Sequence, residues 1–150
     1  MGLIRTILAL VVLLILVHVG LVYAGVRPNT NGLTEAIYGR IDEVGVTDVA
    51  QGVPPGIIAQ VGYGNETSDP ASNPTWRFFP SVFQTKQGGA SEFAATLRAP
   101  PVFETTRFSY TYRFSFDDGL RWTYCDLNSA GSNEGLTFEP EQLGVMIVNP

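Results

Sequence analysis

The residues able to do chemistry are few and badly placed for catalysis. The chain has one cysteine, Cys125, and one histidine, His18. A thiol nucleophile wants a histidine beside it. His18 lies in an uncharged apolar run far from Cys125 in the chain, so cysteine-protease chemistry is excluded. A Ser/His/Asp set is excluded for the same reason, and no His/Cys cluster has metal-ligand spacing. Asp117 and Asp118 are adjacent on a turn, which makes them a poor acid/base pair for glycoside hydrolysis. No glycine-rich phosphate loop precedes a helix. These features predict a non-enzyme with no cofactor and no bound metal.

Binding chemistry is easier to place. Sugar recognition needs aromatic platforms beside hydrogen-bonding groups, and Tyr63, Trp76, Phe79, Trp122 and Tyr124 supply the rings. Trp76, which follows a polar loop, is the leading candidate for sugar contact, with Phe79 beside it. Asp126, Asn128, Asn133 and Glu134 offer oxygen ligands in one loop, but calcium takes six to eight oxygens and the spacing is not an EF-hand. They are read as a polar turn. Asn65-Glu66-Thr67 fits the glycosylation sequon, a triplet that also arises by chance.

The elements that carry these residues fall into three parts. Residues 6–26 hold no charge, and at 1.5 Å per residue this 21-residue run spans roughly 30 Å, the thickness of a bilayer core. It is longer than the usual secretory apolar region, which favours a retained transmembrane helix; Val22-Tyr23-Ala24 reads as a signal-peptidase site and keeps cleavage before Gly25 as the alternative. Arg5 on one side gives a slight bias to a cytoplasmic N-terminus, which puts the remaining chain on the periplasmic or extracellular face of a cell membrane. Within the run, His18 and the small Gly20 are the positions suited to contact with a partner helix. Residues 27–33, with Pro28 and Gly32, read as a linker. Residues 34–150 then form the domain.

Seven short runs in that domain carry β-type residues: 36–42, 56–63, 75–83, 92–98, 106–116, 121–126 and 144–148. Turn formers separate them, the pattern of an all-β antiparallel sandwich. Phe108, Tyr110, Tyr112, Phe114 and Phe116 alternate with Ser109, Thr111, Arg113 and Ser115, so the run 106–116 is expected to be the central strand with its aromatics on one face. Asp118-Gly119 supplies a hairpin turn before Trp122 and Tyr124.

Ser115, Asp117, Gly119 and Trp122 match Ser-x-Asp-x-Gly-x-x-Trp and resemble an Asp-box, a motif that in sialidases and other propellers is a folded hairpin. One copy implies no propeller. A wider resemblance rests on Ile37-Tyr38-Gly39-Arg40-Ile41, Gly45-Val46-Thr47-Asp48, Ala59-Gln60-Val61-Gly62-Tyr63-Gly64, and the hairpin from Tyr112 through Leu127. These stretches are similar to an immunoglobulin-like module of bacterial secreted and envelope proteins. The resemblance implies an immunoglobulin-like sandwich, alone on the surface or appended to hydrolases, with a hairpin similar to that of starch-binding modules. The stretch from Lys86 to Phe93 lacks the module's Asn-Asn-Asp run, and Asp118 stands where a Gly is usual. Both departures lie in loops, so the fold expectation stands while no inherited ligand site follows.

Composition narrows the partners. The net charge is -5 with no Lys/Arg cluster, so nucleic acid is excluded. The expected partners are the lipid bilayer and other membrane protein subunits, which the chain would join as an accessory subunit on the outer face of an electron-transfer or transport complex. A secreted or surface carbohydrate-binding module is the alternative, and edge-strand self-association is a third reading.

Overall fold

The computed structural model describes residues 26–125, 139 and 143–150. The described part is all-β, with two antiparallel sheets packed face to face. The strands are β1 (Ile37–Ile41), β2 (Ile58–Asn65), β3 (Arg77–Pro80), β4 (Val82–Gln87), β5 (Ala90–Ala95), β6 (Thr106–Ser115), β7 (Thr123–Tyr124) and β8 (Gly144–Val148). One sheet has the order β1-β5-β4. The other runs β3-β2-β6-β7, with β8 also paired to β6. Among the described residues no helix is long and apolar enough to cross a membrane. His18, Gly20 and all of the uncharged run except Val26 lie outside the described residues.

β6 is the central strand, as its alternation predicts. It pairs with β2 from Ile58↔Ser115 to Asn65↔Phe108 and with β8 from Thr106↔Val148 to Tyr110↔Gly144. Tyr112 and Phe114 are buried in the core with Val61, Phe93, Leu97 and Met146. An edge-to-face contact joins the layers, Phe93 of β5 meeting Phe114 at 5.7 Å between centroids, and within the smaller sheet Phe93 meets Phe83 of β4 at 5.8 Å. Phe116 falls beyond the strand and is exposed, so the aromatic row ends at Phe114, two residues earlier than its periodicity suggests.

Tyr112 ties the layers covalently distant but physically adjacent. Its hydroxyl donates to the Ile37 carbonyl of β1 across the interior at 2.7 Å. Its ring lies flat on Gly39, where a Cβ would come within 2.4 Å of ring carbon Cγ. Burial pushes its phenol up to about 12.

Three expected strands are revised. The run 75–83 is two strands in different sheets. Pro80 has no N–H to continue a ladder, the Ser81 N–H donates to the Ala59 carbonyl at 3.0 Å, and the chain then crosses to β5. The run 92–98 starts two residues earlier, because Gly88, at φ 64°, turns a tight hairpin that pairs Gln87 with Ala90. Leu97 leaves the ladder but stays buried, its N–H donating to Thr34 Oγ1 at 2.9 Å. The run 121–126 shortens to Thr123–Tyr124, since the Arg121 N–H is bonded to Asp117 instead of to a neighbouring strand.

Tyr112→Phe is expected to destabilise the domain by about 1–3 kcal/mol, because the Ile37 carbonyl loses its buried donor. A tyrosine whose folded pKa is raised keeps its contribution below the unfolded value near 10 and loses it as pH rises toward 12. The wild type should therefore lose stability over that window, and the Phe variant should lose less. Urea unfolding at pH 8 and pH 11 checks both. Gly39→Ala should cost about 1–3 kcal/mol by overpacking against the same ring, measured by the same transition.

Candidate functional site

The outer face of the five-stranded sheet holds the densest group of rings and charge. On β2 this face carries Gln60, Gly62 and Gly64, alternating with the core residues Ala59, Val61 and Tyr63. Neighbouring rings fill the space the glycines leave. A Cβ on Gly62 would meet Phe78 at 2.4 Å, and one on Gly64 would meet Trp76 at 2.6 Å. Trp76 and Phe78 stack with centroids 5.6 Å apart, and Phe78 lies 6.1 Å from Tyr124.

Arg113 of β6 runs through the middle of this group. Its Cζ lies 3.7 Å from the Phe78 centroid and 3.9 Å from that of Trp122. Gln60 Oε1 accepts from Arg113 Nε at 2.9 Å and from Nη2 at 2.7 Å. A guanidinium between two ring faces is held by cation–π attraction, and the amide oxygen fixes its plane. The same face buries Ser109, Thr111 and Ser115.

At the end of β6 the Asp-box-like residues fold into a closed hydrogen-bonded turn. Ser115 Oγ donates to Asp117 Oδ1 at 2.9 Å and accepts from the Gly119 N–H at 2.9 Å. Asp117 accepts from the Arg121 N–H at 2.8 Å and from Arg121 Nε at 2.7 Å. These two bonds from Arg121, helped by Ser115, hold the Asp117 carboxyl down at about 2. Asp118 and Gly119 both take positive φ, 58° and 87°, and Trp122 packs beneath Gly119. Ser115, Asp117, Gly119 and Trp122, singled out together from the sequence, meet in this turn.

The two sugar candidates are separated. Trp76 is 9% exposed; its indole N–H donates to Ser68, 2.9 Å from Oγ, and its ring is stacked on Phe78. Phe79 faces the other side of β3, is 37% exposed, and stacks on Tyr63 at 6.1 Å. Asp126, Asn128, Asn133 and Glu134 lie outside the described residues, as do His18 and Gly20. Among the described residues no group of three or more His, Cys, Asp or Glu is placed to hold a metal ion.

Sequence reasoning missed Arg113, Gln60 and Phe78 as a unit. The signal was present in part, because Arg113 alternates with the aromatics of β6 and two glycines interrupt β2 on one face. It also missed a pocket of about 470 Å³ between β1 and the edge of the other sheet, lined in part by Tyr38, Arg40, Tyr110, Tyr112 and Cys125. The Cys125 N–H donates to the Tyr112 carbonyl at 2.8 Å, which places the thiol at this rim, where Sγ lies 4.0 Å from the Arg40 carbonyl oxygen.

Compared with known families and curated proteins, the sequence matches no family model and no curated protein significantly.

Because the folded pKa of Asp117 lies below its ordinary value of 3.8, its contribution is present above pH 3.8 and lost as pH falls toward about 2. Trp122 fluorescence should report loosening of the hairpin in that window, and Asp117→Asn should remove the dependence while lowering stability at pH 7. Arg113→Lys should cost about 1–2 kcal/mol, since an ammonium cannot match both ring faces and the amide at once; thermal unfolding of the variant checks this.

Proposed function

We propose that this chain is a non-catalytic immunoglobulin-like domain held by its N-terminal hydrophobic segment on the outer face of a membrane. There it serves as an accessory subunit of a larger membrane protein complex. The observation that carries this reading is the join at Val26. The uncharged run ends at the residue whose N–H donates to the Val145 carbonyl at 2.8 Å and whose carbonyl accepts from the Ile147 N–H at 2.9 Å. An anchor that led straight into this ladder would hold its domain at a set angle. That suits a subunit capping a neighbour better than a binder on a slack tether.

Strand order supports the immunoglobulin-like part. The orders β1-β5-β4 and β3-β2-β6, with β7 and β8 both paired to β6 and Val26 bridging β8 in parallel, match those of strands B-E-D and C′-C-F-G if β8 is taken as G. The non-catalytic part draws on the consumption of polar side chains by structure: Asp117 and Ser115 close the hairpin, Glu92 pairs with Arg40 at 2.7 Å, and Arg113 is locked in its ring sandwich.

A surface carbohydrate-binding module is the second reading. It is favoured by the half-buried Trp122 and Tyr124 on an outer face that already carries Gln60 and Arg113.

Extraction of the full chain from its own membranes in mild detergent, followed by sizing and intact mass, tests the first reading. The expected result is an uncleaved chain in an assembly well above 16.3 kDa. A chain beginning at Gly25 in the soluble fraction would overturn it, and glycan binding by that species would establish the second.

A further inference from the structure

The turn after β2 holds its backbone tightly and leaves two polar side chains unused. Asn65 ends β2, and Asn65, Glu66 and Thr67 are all exposed. The Asn65 carbonyl accepts from the Ser68 N–H at 3.1 Å and from Ser68 Oγ at 2.6 Å. The Asn65 N–H donates to Thr75 Oγ1 at 3.2 Å, and the Thr67 N–H donates to the buried Ser109 Oγ at 2.9 Å. Glu66 pairs with Arg107 at 2.5 Å. Among the described residues, the Asn65 carboxamide and the Thr67 hydroxyl make no hydrogen bond.

Thr67 is also poorly suited to its backbone. Its φ is 61°, and the other non-glycine residue at positive φ among the described residues is Asp118. Aspartate visits this region because its short polar side chain bonds locally, whereas a β-branched side chain crowds the backbone there. Gly or Asn fits such a turn with less strain. The bond that Thr67 gives the turn comes from its backbone N–H, which any residue but proline supplies. The fold therefore does not account for a threonine at 67.

A second Asn-x-Thr triplet, Asn73-Pro74-Thr75, behaves in the opposite way. Asn73 Oδ1 accepts from the Thr75 N–H at 2.9 Å and from the Thr75 hydroxyl at 2.6 Å. Both side chains are spent on the local turn, and the central proline rules the triplet out as a glycosylation acceptor. In Asn65-Glu66-Thr67 the same two residue types face solvent, and no proline intervenes.

We propose that Asn65 is an N-glycosylation site, and that a threonine is kept at the strained position 67 because the glycosyl-transferring enzyme reads its hydroxyl. This rests on the outer-face reading above, since transfer takes place on that side of the membrane. The donor is an oligosaccharide carried on a polyprenyl diphosphate. Asn65 Nδ2 bonds to the anomeric carbon of the donor. The bond from that carbon to the diphosphate oxygen breaks, its electron pair leaves on the diphosphate, and Nδ2 gives one proton to a base of the transferring enzyme. Asn65 occupies the last rung of the β2–β6 ladder, opposite Phe108. The sugar would therefore stand at the end of the sheet, where its bulk displaces no packed side chain.

Tryptic digestion of the full chain from its own membranes tests this. The peptide Ile41–Arg77 holds both triplets. It is expected to be heavier by whole sugar residues, with electron-transfer fragmentation placing the addition on Asn65. In the same host, Thr67→Ser should keep the addition, while Asn65→Gln and Thr67→Asn should abolish it. Made in cells that lack the transferring enzyme, the full-length Thr67→Asn chain should melt at the same temperature as wild type or higher, because asparagine tolerates a φ of 61°. A lower midpoint would give the threonine a role in the fold and overturn its assignment to the enzyme. An unmodified peptide, from a chain whose domain is cut by protease added outside the cytoplasmic membrane, overturns the glycan and leaves the outer-face reading standing. An unmodified peptide from a chain protected against that protease overturns both. A sugar on a serine or threonine that persists in Asn65→Gln overturns the assignment to Asn65.

Discussion

The Tyr112 side chain spans the interior between the two sheets, and the arrangement of the domain depends on it. Its ring needs a flat, side-chain-free surface on β1, and Gly39 provides one. Its hydroxyl needs a buried acceptor, and the Ile37 carbonyl two residues earlier provides that at 2.7 Å. A phenol cannot be sunk this far without a partner, because a stranded hydroxyl costs as much as the ring's burial returns. The two requirements together set the spacing and register of β1 over β6. β1 is an edge strand, joined within its own sheet only to β5, so this contact also determines where the flank beside Cys125 and Val26 lies.

The same device recurs on the five-stranded sheet. Phe78 covers Gly62, Trp76 covers Gly64, and Tyr110 covers Gly144. Glycine in a strand is weak, since it leaves backbone exposed and packs nothing. A ring laid across it restores the lost contact and shields the ladder from water. The outer face is thereby built of aromatics lying along the sheet, and Arg113 fits between two of them as a further layer. Residues that look in sequence like free binding groups are in this way absorbed into the fold. Of the nine large hydrophobic side chains that the described residues leave in solvent, five lie in the connections from β1 to β2 and from β6 to β7.

Much of the architecture was legible. The strict alternation from Phe108 to Phe114 identified the central strand, because a period of two has only one structural meaning. Gly144–Val148 read correctly as a strand, and the structure buries most of it between the layers. The run 75–83 misled because periodicity is blind to which sheet a strand joins. Pro80 was the available signal, and the physical content of that signal is its missing N–H. The candidate site was less legible. Ser115, Asp117, Gly119 and Trp122 lie within eight residues, and their local spacing was enough to bring them together. Arg113, Gln60 and Phe78 come from three strands, and no local pattern pairs them.

The sequence by itself determined the uncharged N-terminal run, the all-β class, the central strand and the closing turn of its hairpin. Each is a short-range matter: alternation, composition and φ preference act over a few residues and need no knowledge of neighbours. Only the tertiary structure decided that Tyr112 would reach across to β1, that Arg113 would be enclosed by rings, and that Trp76 would be spent covering a glycine. It also decided that Val44, Val49 and Leu120 share one end of the domain. Those outcomes follow from strand register and layer packing, in which residues as far as 75 positions apart are brought within a few ångströms. Free energy at that range is set by shape and burial between elements, and single-chain spacing carries no record of it.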